Sequence, residues 1–305
     1  MTHKRVWSLI SAAVLGSLAM QSVFAQANNH TGYRLSVVGI AVKDYAKSQD
    51  FYGTKMGLHE AFKFSSPDGK RTTTYYQLSR DTFLEMQPAG DAKPGFTHVH
   101  LAVDNVDAAI ARLKQAGVPG APRNGNTPGT VTEAGKAQPS NVKNANIIEP
   151  DGLRMELNEL LPESLTRKAA DSWSDTYPSY RLYVIGIGYK DFAVSDEFYE
   201  KKMGLKVAFL INTPTHPYLQ LGRDTFVDFQ PARDAAPSFN HVHLVVDDLT
   251  ATLARLKQNG IEATRPQFSP PSQLYSANLT DPDGLRLELN QWVDSLPKKA
   301  AEAWK

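Results

Sequence analysis

The sequence predicts an α+β protein built from two similar halves, each of which alternates short β-strands with amphipathic helices. The first observation is an internal repeat, because "RLSVVGIAVKDYAKSQDFYGTKMGL" at 34–58 returns as "RLYVIGIGYKDFAVSDEFYEKKMGL" at 181–205. The second is a weaker repeat within each half, in which "VVGIAVKDYAKSQDFY" and "HVHLAVDNVDAAIARL" both combine an alternating strand, a turn and a helical pattern. The chain is therefore expected to contain one unit, a strand, a helix and about three strands, four times.

These repeats predict where the chain divides. We expect a signal peptide over 1–27, a first domain over 33–160, a helical tail and linker over 161–180, a second domain over 181–292, and a C-terminal helical tail over 293–305. A Gly-, Asn- and Pro-rich stretch at 118–145 accounts for most of the extra length of the first half. Its composition predicts a mobile loop over a site.

The N-terminal segment has the pattern of a secretory signal. Lys4 and Arg5 precede an apolar run over 6–20, and "SVFAQA" then offers small residues for cleavage. No later apolar run is long enough to span a membrane, so the mature chain is expected to be periplasmic or secreted, without a membrane segment. The chain has no cysteine, which excludes disulfides and a lipid-modified cysteine anchor.

Composition favours a globular protein that binds a small molecule. The chain has 305 residues, is 41% apolar, and balances 33 Lys and Arg against 32 Asp and Glu. Because basic residues do not cluster, the sequence does not predict nucleic-acid binding. The expected partner is a small-molecule substrate, and the chain is expected to be a monomer or a homodimer.

The four predicted helices have recognisable starts. A residue with a short polar side chain stands where each helix should begin, as is typical of N-caps. These residues are Asp44, Asn105, Asp191 and Asp248.

Four of the eight histidines lie in two H-V-H triplets, "FTHVHLAVD" at 96–104 and "FNHVHLVVD" at 239–247. Because strand side chains alternate between faces, both histidines of a triplet point away from the apolar face that packs under the helices. Neighbouring strands place more polar side chains on the same face. These residues are His98, His100, Glu85, Gln87 and Glu156 in the first half, and His241, His243, Asp228, Gln230 and Glu288 in the second. Carboxylates that converge on an imidazole can bind a divalent metal such as Mn, Fe, Zn or Ni.

The ordered motifs resemble the vicinal oxygen chelate superfamily, which includes glyoxalase I, fosfomycin- and bleomycin-resistance proteins and extradiol dioxygenases. The motifs that carry the resemblance are "KDYAKSQDFYGTKMGL", "HVHLAVD" and "DPDGLRLELN", with their counterparts in the other half. The resemblance implies two glyoxalase-like domains, each of paired βαβββ modules that form a curved mixed sheet around a cavity. It also implies a divalent metal that chelates two adjacent substrate oxygens.

Transferring the ligands of the family residue by residue gives an incomplete set. The family's first ligand, a histidine on the first strand, falls on Val37 and Val184. The three remaining positions fall on Glu85, His98 and Glu156 in the first half, and on Asp228, His241 and Glu288 in the second. His100 and His243 either replace the missing ligand or contact the ligands and the substrate. Gln87 and Gln230 are expected either to line the cavity or to make ordinary hydrogen bonds to the backbone.

Two functions remain open from the sequence. The first is an exported, metal-dependent enzyme that acts on a small oxygen-rich molecule by Lewis-acid chelation, with lyase, isomerase or dioxygenase-type chemistry. In this enzyme Glu85 or Asp228 serves as a ligand or as a catalytic base. The second is a metal-free binding protein of the bleomycin-resistance type. Extradiol dioxygenases carry a tyrosine where Asn146 and Asn278 stand, and glyoxalase I acts on a glutathione adduct, so neither of these activities is favoured. Whether the modules pair within each half or across the halves is also left open.

Overall fold

The computed structural model describes residues 32–66, 68–69 and 71–304, which form two mixed β-sheets, one from each half of the chain. The predicted signal peptide over 1–27 lies outside the described residues. The expected fold class is confirmed, because each half contains a sheet with a few helices, in the order that the repeats predict. No helix in the described ranges is long and apolar enough to cross a membrane.

The first sheet has the strand order β2-β3-β4-β1-β5-β10-β9-β7-β6, with β8 paired to β9. Its strands are β1 (Arg34–Val42), β2 (His59–Ser65), β3 (Thr72–Ser79), β4 (Thr82–Pro88), β5 (Gly95–Ala102), β6 (Gly120–Ala121), β7 (Thr130–Thr132), β8 (Gly135–Ala137), β9 (Val142–Ile148) and β10 (Arg154–Glu159).

The second sheet has the order β12-β13-β14-β11-β15-β18-β17-β16, of which the first seven strands repeat the first seven of the first sheet. Its strands are β11 (Arg181–Tyr189), β12 (Lys206–Leu210), β13 (Pro217–Gly222), β14 (Thr225–Pro231), β15 (Ser238–Val245), β16 (Gln267–Ser269), β17 (Leu274–Thr280) and β18 (Arg286–Gln291).

The modules pair within each half. In the first sheet β1 runs parallel to β4 and antiparallel to β5, while β10 runs parallel to β5 on its other side. The strands that carry Glu85, His98 and Glu156 therefore lie within four consecutive positions of one sheet. The second sheet brings Asp228, His241 and Glu288 together in the same way.

In the described part of the chain six helices accompany the sheets, and two of them continue as single π-helical segments. They are α1 (Tyr45–Gln49, continuing over Asp50–Lys55), α2 (Val106–Gln115), α3 (Leu165–Asp171), α4 (Phe192–Asp196, continuing over Glu197–Lys202), α5 (Leu249–Gln258) and α6 (Leu296–Ala303). The four predicted N-caps are confirmed, since each side chain accepts a hydrogen bond from a backbone N–H of the first turn.

The two halves share one core and exchange contacts. The largest cluster of buried apolar side chains contains residues of both halves, including Tyr52 and Tyr199. Lys43 donates its backbone N–H to Asp283 of the second half, and Lys190 donates in the same way to Asp151 of the first, both at 3.0 Å. The turns 150–152 and 282–284, each with the sequence PDG, therefore contact the start of the opposite half.

The helices α3 and α6 lie on the cavity side of the sheets. Gln77 of β3 donates to the backbone oxygen of Ala169 at 3.1 Å, and Gln220 of β13 donates to that of Ala300 at 3.3 Å. Ala169 also packs on the side chains of Val37 and Tyr75. Each tail therefore closes one side of the cavity of its own half.

The stretch 118–145 differs from the predicted loop, because β6, β7 and β8 form within it and β9 begins there. β7 and β8 both pair with β9, so its backbone groups are satisfied by the sheet despite the Gly- and Pro-rich composition. The expected position over a site is confirmed, since Ala137, Gln138 and Ser140 line the cavity of the first half.

Candidate metal centres

The inner face of the first sheet gathers two carboxylates and two imidazoles. Glu85 lies on β4, His98 and His100 lie on β5, and Glu156 lies on β10. Glu85, His98 and His100 offer ligand atoms that all lie within 4.8 Å of one another. Both histidines are buried, at 2% and 6% exposure, although they point away from the core that packs under α1 and α2, as the alternation predicts.

The distances place both carboxylates around the two Nε2 atoms. Glu85 Oε2 lies 3.4 Å from the Nε2 of His98 and 3.4 Å from that of His100. Glu156 lies 3.9 Å from His98 Nε2 through Oε1 and 3.6 Å from His100 Nε2 through Oε2. Thr97 Oγ1 forms a hydrogen bond with the other ring nitrogen of His98, Nδ1, at 2.8 Å. This hydrogen bond orients the ring so that Nε2 faces the carboxylates.

The second sheet builds a corresponding cluster with one additional imidazole. Asp228, His241 and His243 offer ligand atoms within 4.8 Å of one another. Asp228 lies 3.2 Å from His241 Nε2, and Glu288 lies 3.7 Å from His243 Nε2. His216 of the loop before β13 binds the other oxygen of Asp228 through Nε2 at 2.6 Å.

Other side chains orient the carboxylates. Tyr75 donates its hydroxyl to Glu85 Oε2 at 2.5 Å, and Tyr218 donates to Asp228 Oδ2 at 3.1 Å. Asn144 donates to Glu156 Oε2 at 3.1 Å and is itself held by the guanidinium of Arg123.

Charge and burial oppose each other in the first cluster. Burial raises the pKa of the Glu85 carboxyl, but the imidazoles of His98 and His100 outweigh it and hold the pKa well below its ordinary value. Burial lowers the pKa of His98, whereas for His100 the carboxylates of Glu156 and Glu85 outweigh burial and raise the pKa. The pKa of the Glu156 carboxyl is lowered in the same way, because the imidazoles of His100 and His98 outweigh burial. Both carboxyls are therefore ionised at neutral pH.

In the second cluster the same balance gives a different result for one histidine. Burial lowers the pKa of His243 to about 4, although Glu288 opposes the shift. The pKa of Asp228 is lowered despite burial, chiefly by the neighbouring imidazoles of His216 and His241. His243 is therefore neutral at physiological pH and can use its Nε2 lone pair as a metal ligand.

Three buried ring nitrogens in these clusters lack a hydrogen-bond partner among the residues that the structure describes. They are His100 Nε2 in the first half and His241 Nε2 and His243 Nε2 in the second. A buried polar atom without a partner costs free energy unless a ligand or ion satisfies it. Their position beside ionised carboxylates fits a divalent cation.

On the first strand of each sheet, a glycine leaves room for the ring of the first histidine of the H-V-H triplet, His98 or His241. Gly39 pairs with both Glu85 and His98 in the sheet, and a Cβ at this position would lie 2.4 Å from His98 Cε1. At Gly186 the corresponding distance to His241 Cε1 would be 2.2 Å. The imidazole therefore lies directly over the first strand at Gly39 or Gly186, whereas the position of the family's missing first ligand, Val37 or Val184, pairs with His100 or His243.

The predicted site residues separate into two groups. Glu85, His98, His100 and Glu156 come together in one cluster, and their four counterparts come together with His216 in another. Gln87 and Gln230 line neither cavity, and Gln230 donates instead to Asn240 at 3.3 Å. The sequence reasoning missed Tyr75, Tyr218 and His216. The two tyrosines follow the internal repeat and could have been found from it, whereas Thr73 stands at the position of His216, so no repeated signal marks that histidine.

Comparison with known proteins gives a consistent family and fold. The family model described as Glyoxalase/Bleomycin resistance protein/Dioxygenase superfamily matches residues 34–157 and 181–289. No curated protein matches the chain.

Solved structures match most of the chain at low sequence identity. The Mn(II)-bound glyoxalase from Novosphingobium aromaticivorans is 19% identical, with 86% of this chain and 84% of that chain covered and a TM-score of 0.66. The homoprotocatechuate 2,3-dioxygenase from Arthrobacter globiformis is 19% identical, with 86% and 80% covered and a TM-score of 0.62. The 2,3-dioxygenase LapB from Pseudomonas sp. KL28 is 14% identical, with 86% and 93% covered and a TM-score of 0.63. At these identities the likeness concerns the fold.

Proposed function

Because this chain belongs to the glyoxalase/bleomycin resistance protein/dioxygenase superfamily, we propose that it is a metal-dependent enzyme that acts on a small oxygen-rich molecule by lyase or isomerase chemistry. Glu85, His98 and His100 hold the ion in the first half. Asp228, His241 and His243 form the corresponding set in the second. The observation that carries the proposal is the convergence of buried, unpartnered imidazole nitrogens on ionised carboxylates.

The donor set suits a borderline divalent ion. Two imidazoles and one carboxylate are ligands that Mn, Fe, Zn and Ni accept, and three protein ligands leave coordination positions open. When bound, such an ion supplies Lewis-acid polarisation of substrate oxygens.

Glu156 takes a different role from Glu85 in this proposal. Tyr75 fixes Glu85 between the two imidazoles, which suits a ligand. Glu156 lies farther from both Nε2 atoms, lines the same cavity and is ionised. Its carboxylate can therefore accept a proton from a bound substrate, while Asn144 and Arg154 limit its movement.

The second candidate is a metal-free binding protein. It is favoured by Val37 and Val184, which are buried and apolar where the family's first histidine stands. In that case the polar cavity would sequester a small molecule without turnover.

Metal titration distinguishes the two. Chelator-treated protein is titrated with Mn²⁺, Fe²⁺, Zn²⁺ and Ni²⁺, and bound metal is measured by elemental analysis. We expect the double variants His98→Ala/His100→Ala and His241→Ala/His243→Ala each to lose the ion of one half. His59→Ala is the matched control, because His59 stacks on Tyr177 at 4.3 Å outside both clusters. A folded wild-type chain that binds none of these ions would support the metal-free candidate.

The roles of the two glutamates need a second comparison. Glu85→Gln is expected to lose the ion of the first half, whereas Glu156→Gln is expected to retain it. Equal metal affinity in both variants would contradict the assignment of Glu85 as the ligand.

We also propose that the protein is exported. The support is the basic, then apolar, then small-residue pattern over 1–27. Expression of the full chain followed by N-terminal sequencing of the mature protein tests this, with cleavage expected after Ala25 or Ala27. An intact N-terminus on cytoplasmic protein would contradict it.

A further inference from the structure

The inner ends of the two cavities differ at one position on the first strand. Register with the next strand shifts by one residue between Leu35 and Val37 in β1, and between Leu182 and Val184 in β11. Such a bulge re-aims a side chain. The extra residue is Ser36 in the first half and Tyr183 in the second.

The Tyr183 ring fills the inner end of the second cavity. Tyr183 is fully buried, and its hydroxyl donates to Asn290 Oδ1 at 2.7 Å and lies 3.5 Å from His243 Nδ1. Its ring makes edge contacts with His243, Phe226 and Trp292, with centroids 5.8, 6.5 and 5.0 Å apart. In the second half, the phenol group of Tyr183 therefore occupies a pocket formed by His243, Phe226, Asn290 and Trp292, which we call the ring pocket.

The first half has a corresponding ring pocket, but no side chain of the described residues fills it, because Ser36 stands in place of Tyr183. By the internal repeat, Phe83 corresponds to Phe226, His100 to His243, Asn158 to Asn290 and Leu160 to Trp292. All four of these first-half residues, with Ser36, line a cavity of about 200 Å³. The second cavity measures about 150 Å³, and Tyr183, Phe226, Asn290 and Trp292 are absent from its lining.

The ring pocket of the first half contains a hydrogen-bond acceptor, Asn158 Oδ1, that accepts no hydrogen bond from the described residues. Asn158 is 2% exposed, and its Oδ1 is buried without a hydrogen-bond partner within the described part of the chain. The corresponding Asn290 Oδ1 accepts the Tyr183 hydroxyl. A ligand that donates one hydrogen bond here would satisfy an atom that is otherwise costly to bury.

We infer that the first cavity binds a phenolic ring in the place that Tyr183 occupies in the second half, with the ring hydroxyl donating to Asn158 Oδ1. The space is adequate, because a cavity of about 150 Å³ is known to accommodate benzene. This inference deepens the proposed function by naming a ligand class for the same cavity. It rests on that function only in treating the cavity as the ligand site, since the contact with Asn158 requires no metal.

The direct test uses 4-methylphenol, which has the shape of a tyrosine side chain, and metal-free protein in calorimetric titration. We expect saturable binding to the wild type. The affinity of Ser36→Tyr should be at least 100-fold weaker, because the ring of the introduced tyrosine would fill the ring pocket. The methyl ether 4-methylanisole, which lacks the donor, should bind at least 10-fold more weakly than 4-methylphenol. Equal binding of both ligands, or no binding of 4-methylphenol, would overturn the inference.

A second variant guards against a misfolded Ser36→Tyr protein. Tyr183→Ser removes the built-in ring, so 4-methylphenol should raise the melting temperature of this variant more than that of the wild type. If 4-methylphenol left the melting temperature of Tyr183→Ser unchanged, the ring pockets of the two halves would not be equivalent. Metal content separates this inference from the proposed function, because loss of phenol binding with metal retained rejects only the inference. Phenol binding by a chain without metal affinity rejects only the enzyme proposal.

Discussion

The first half of the molecule leaves the inner end of its cavity open behind Ser36, whereas the second half fills it with the ring of Tyr183 and adds His216 beside Asp228. The first seven strands of the two strand orders otherwise correspond, and both halves keep a pair of histidines and a pair of carboxylates. A duplicated site has thus kept its polar cluster in both copies while the space around it has diverged. The cluster is the constant part, and the neighbouring side chains decide what else can enter.

The largest expected effect breaks the cluster in one half at a time. In Gly39→Ala the new Cβ would lie 2.4 Å from His98 Cε1, so the buried imidazole must move. We expect metal affinity of the first half to fall at least 100-fold, with a loss of roughly 1–3 kcal/mol in the free energy of unfolding from overpacking. Gly186→Ala should do the same to the second half.

Gly188→Ala is the matched control for these variants. It lies on the same strand as Gly186, but its Cβ would meet Ala232 Cβ at 3.4 Å, an ordinary contact. Metal titration should show unchanged affinity in this variant. Full affinity in Gly39→Ala would mean that His98 is not a ligand.

A second difference concerns the acids that precede the PDG turns. Burial raises the pKa of Glu149 to about 7 from an ordinary value of 4.5. Between these pH values the folded state keeps a proton that the unfolded state loses, so stability falls as pH rises through this window. The shift corresponds to a loss of about 3 kcal/mol. In Glu149→Gln this contribution to the pH dependence should vanish.

Urea denaturation of both proteins between pH 4.5 and pH 8 measures this contribution. The corresponding residue in the second half, Asp281, accepts a hydrogen bond from Tyr52 and keeps its own pH dependence in the variant. Parallel stability curves for Glu149→Gln and the wild type would contradict the assignment.

His216 sharpens the comparison of the two metal clusters. We expect His216→Thr, which introduces the residue found at Thr73 in the first half, to weaken metal binding in the second half about 10- to 100-fold, because a partner of a ligand is lost. The measurement is a metal titration in a His98→Ala/His100→Ala background, where only the second half can bind. Unchanged affinity would show that the third imidazole is not coupled to the ion.

The smallest expected effect separates two buried tyrosines. Tyr52 donates to Asp281 Oδ2 at 2.9 Å, whereas the hydroxyl of Tyr199 is buried without a hydrogen-bond partner among residues with described positions. Tyr52→Phe should therefore lower the free energy of unfolding by about 1–2 kcal/mol, and Tyr199→Phe should change it by less than about 0.5 kcal/mol. Equal losses in urea denaturation would show that Tyr199 has a partner.

Local patterns predicted much of this architecture. Asp44 and Asn105 cap helices because a short acceptor before an amphipathic run has few other roles. His98 and His100 share a face because strand side chains alternate, and the repeat identified the carboxylates that accompany them.

What the sequence left out depends on pairing between distant segments. The register that places Tyr75 opposite Glu85 is fixed by the β3–β4 pair, and the choice of pairing within each half depends on β1 beside β5. The strands within 118–145 were missed because glycine and proline predict turns, whereas pairing with β9 outweighs that local preference. His216 has no counterpart in the repeat and could only be found in three dimensions.

The reciprocal contacts of Lys43 with Asp283 and of Lys190 with Asp151 have a consequence for the origin of the molecule. Each half both presents a turn and receives one, which is the self-complementarity of a two-fold symmetric dimer. An ancestor of half this length could have assembled from two identical copies through the same surface. The peptide link between the halves then contributes mainly a high effective concentration, and it leaves each copy free to change its own cavity.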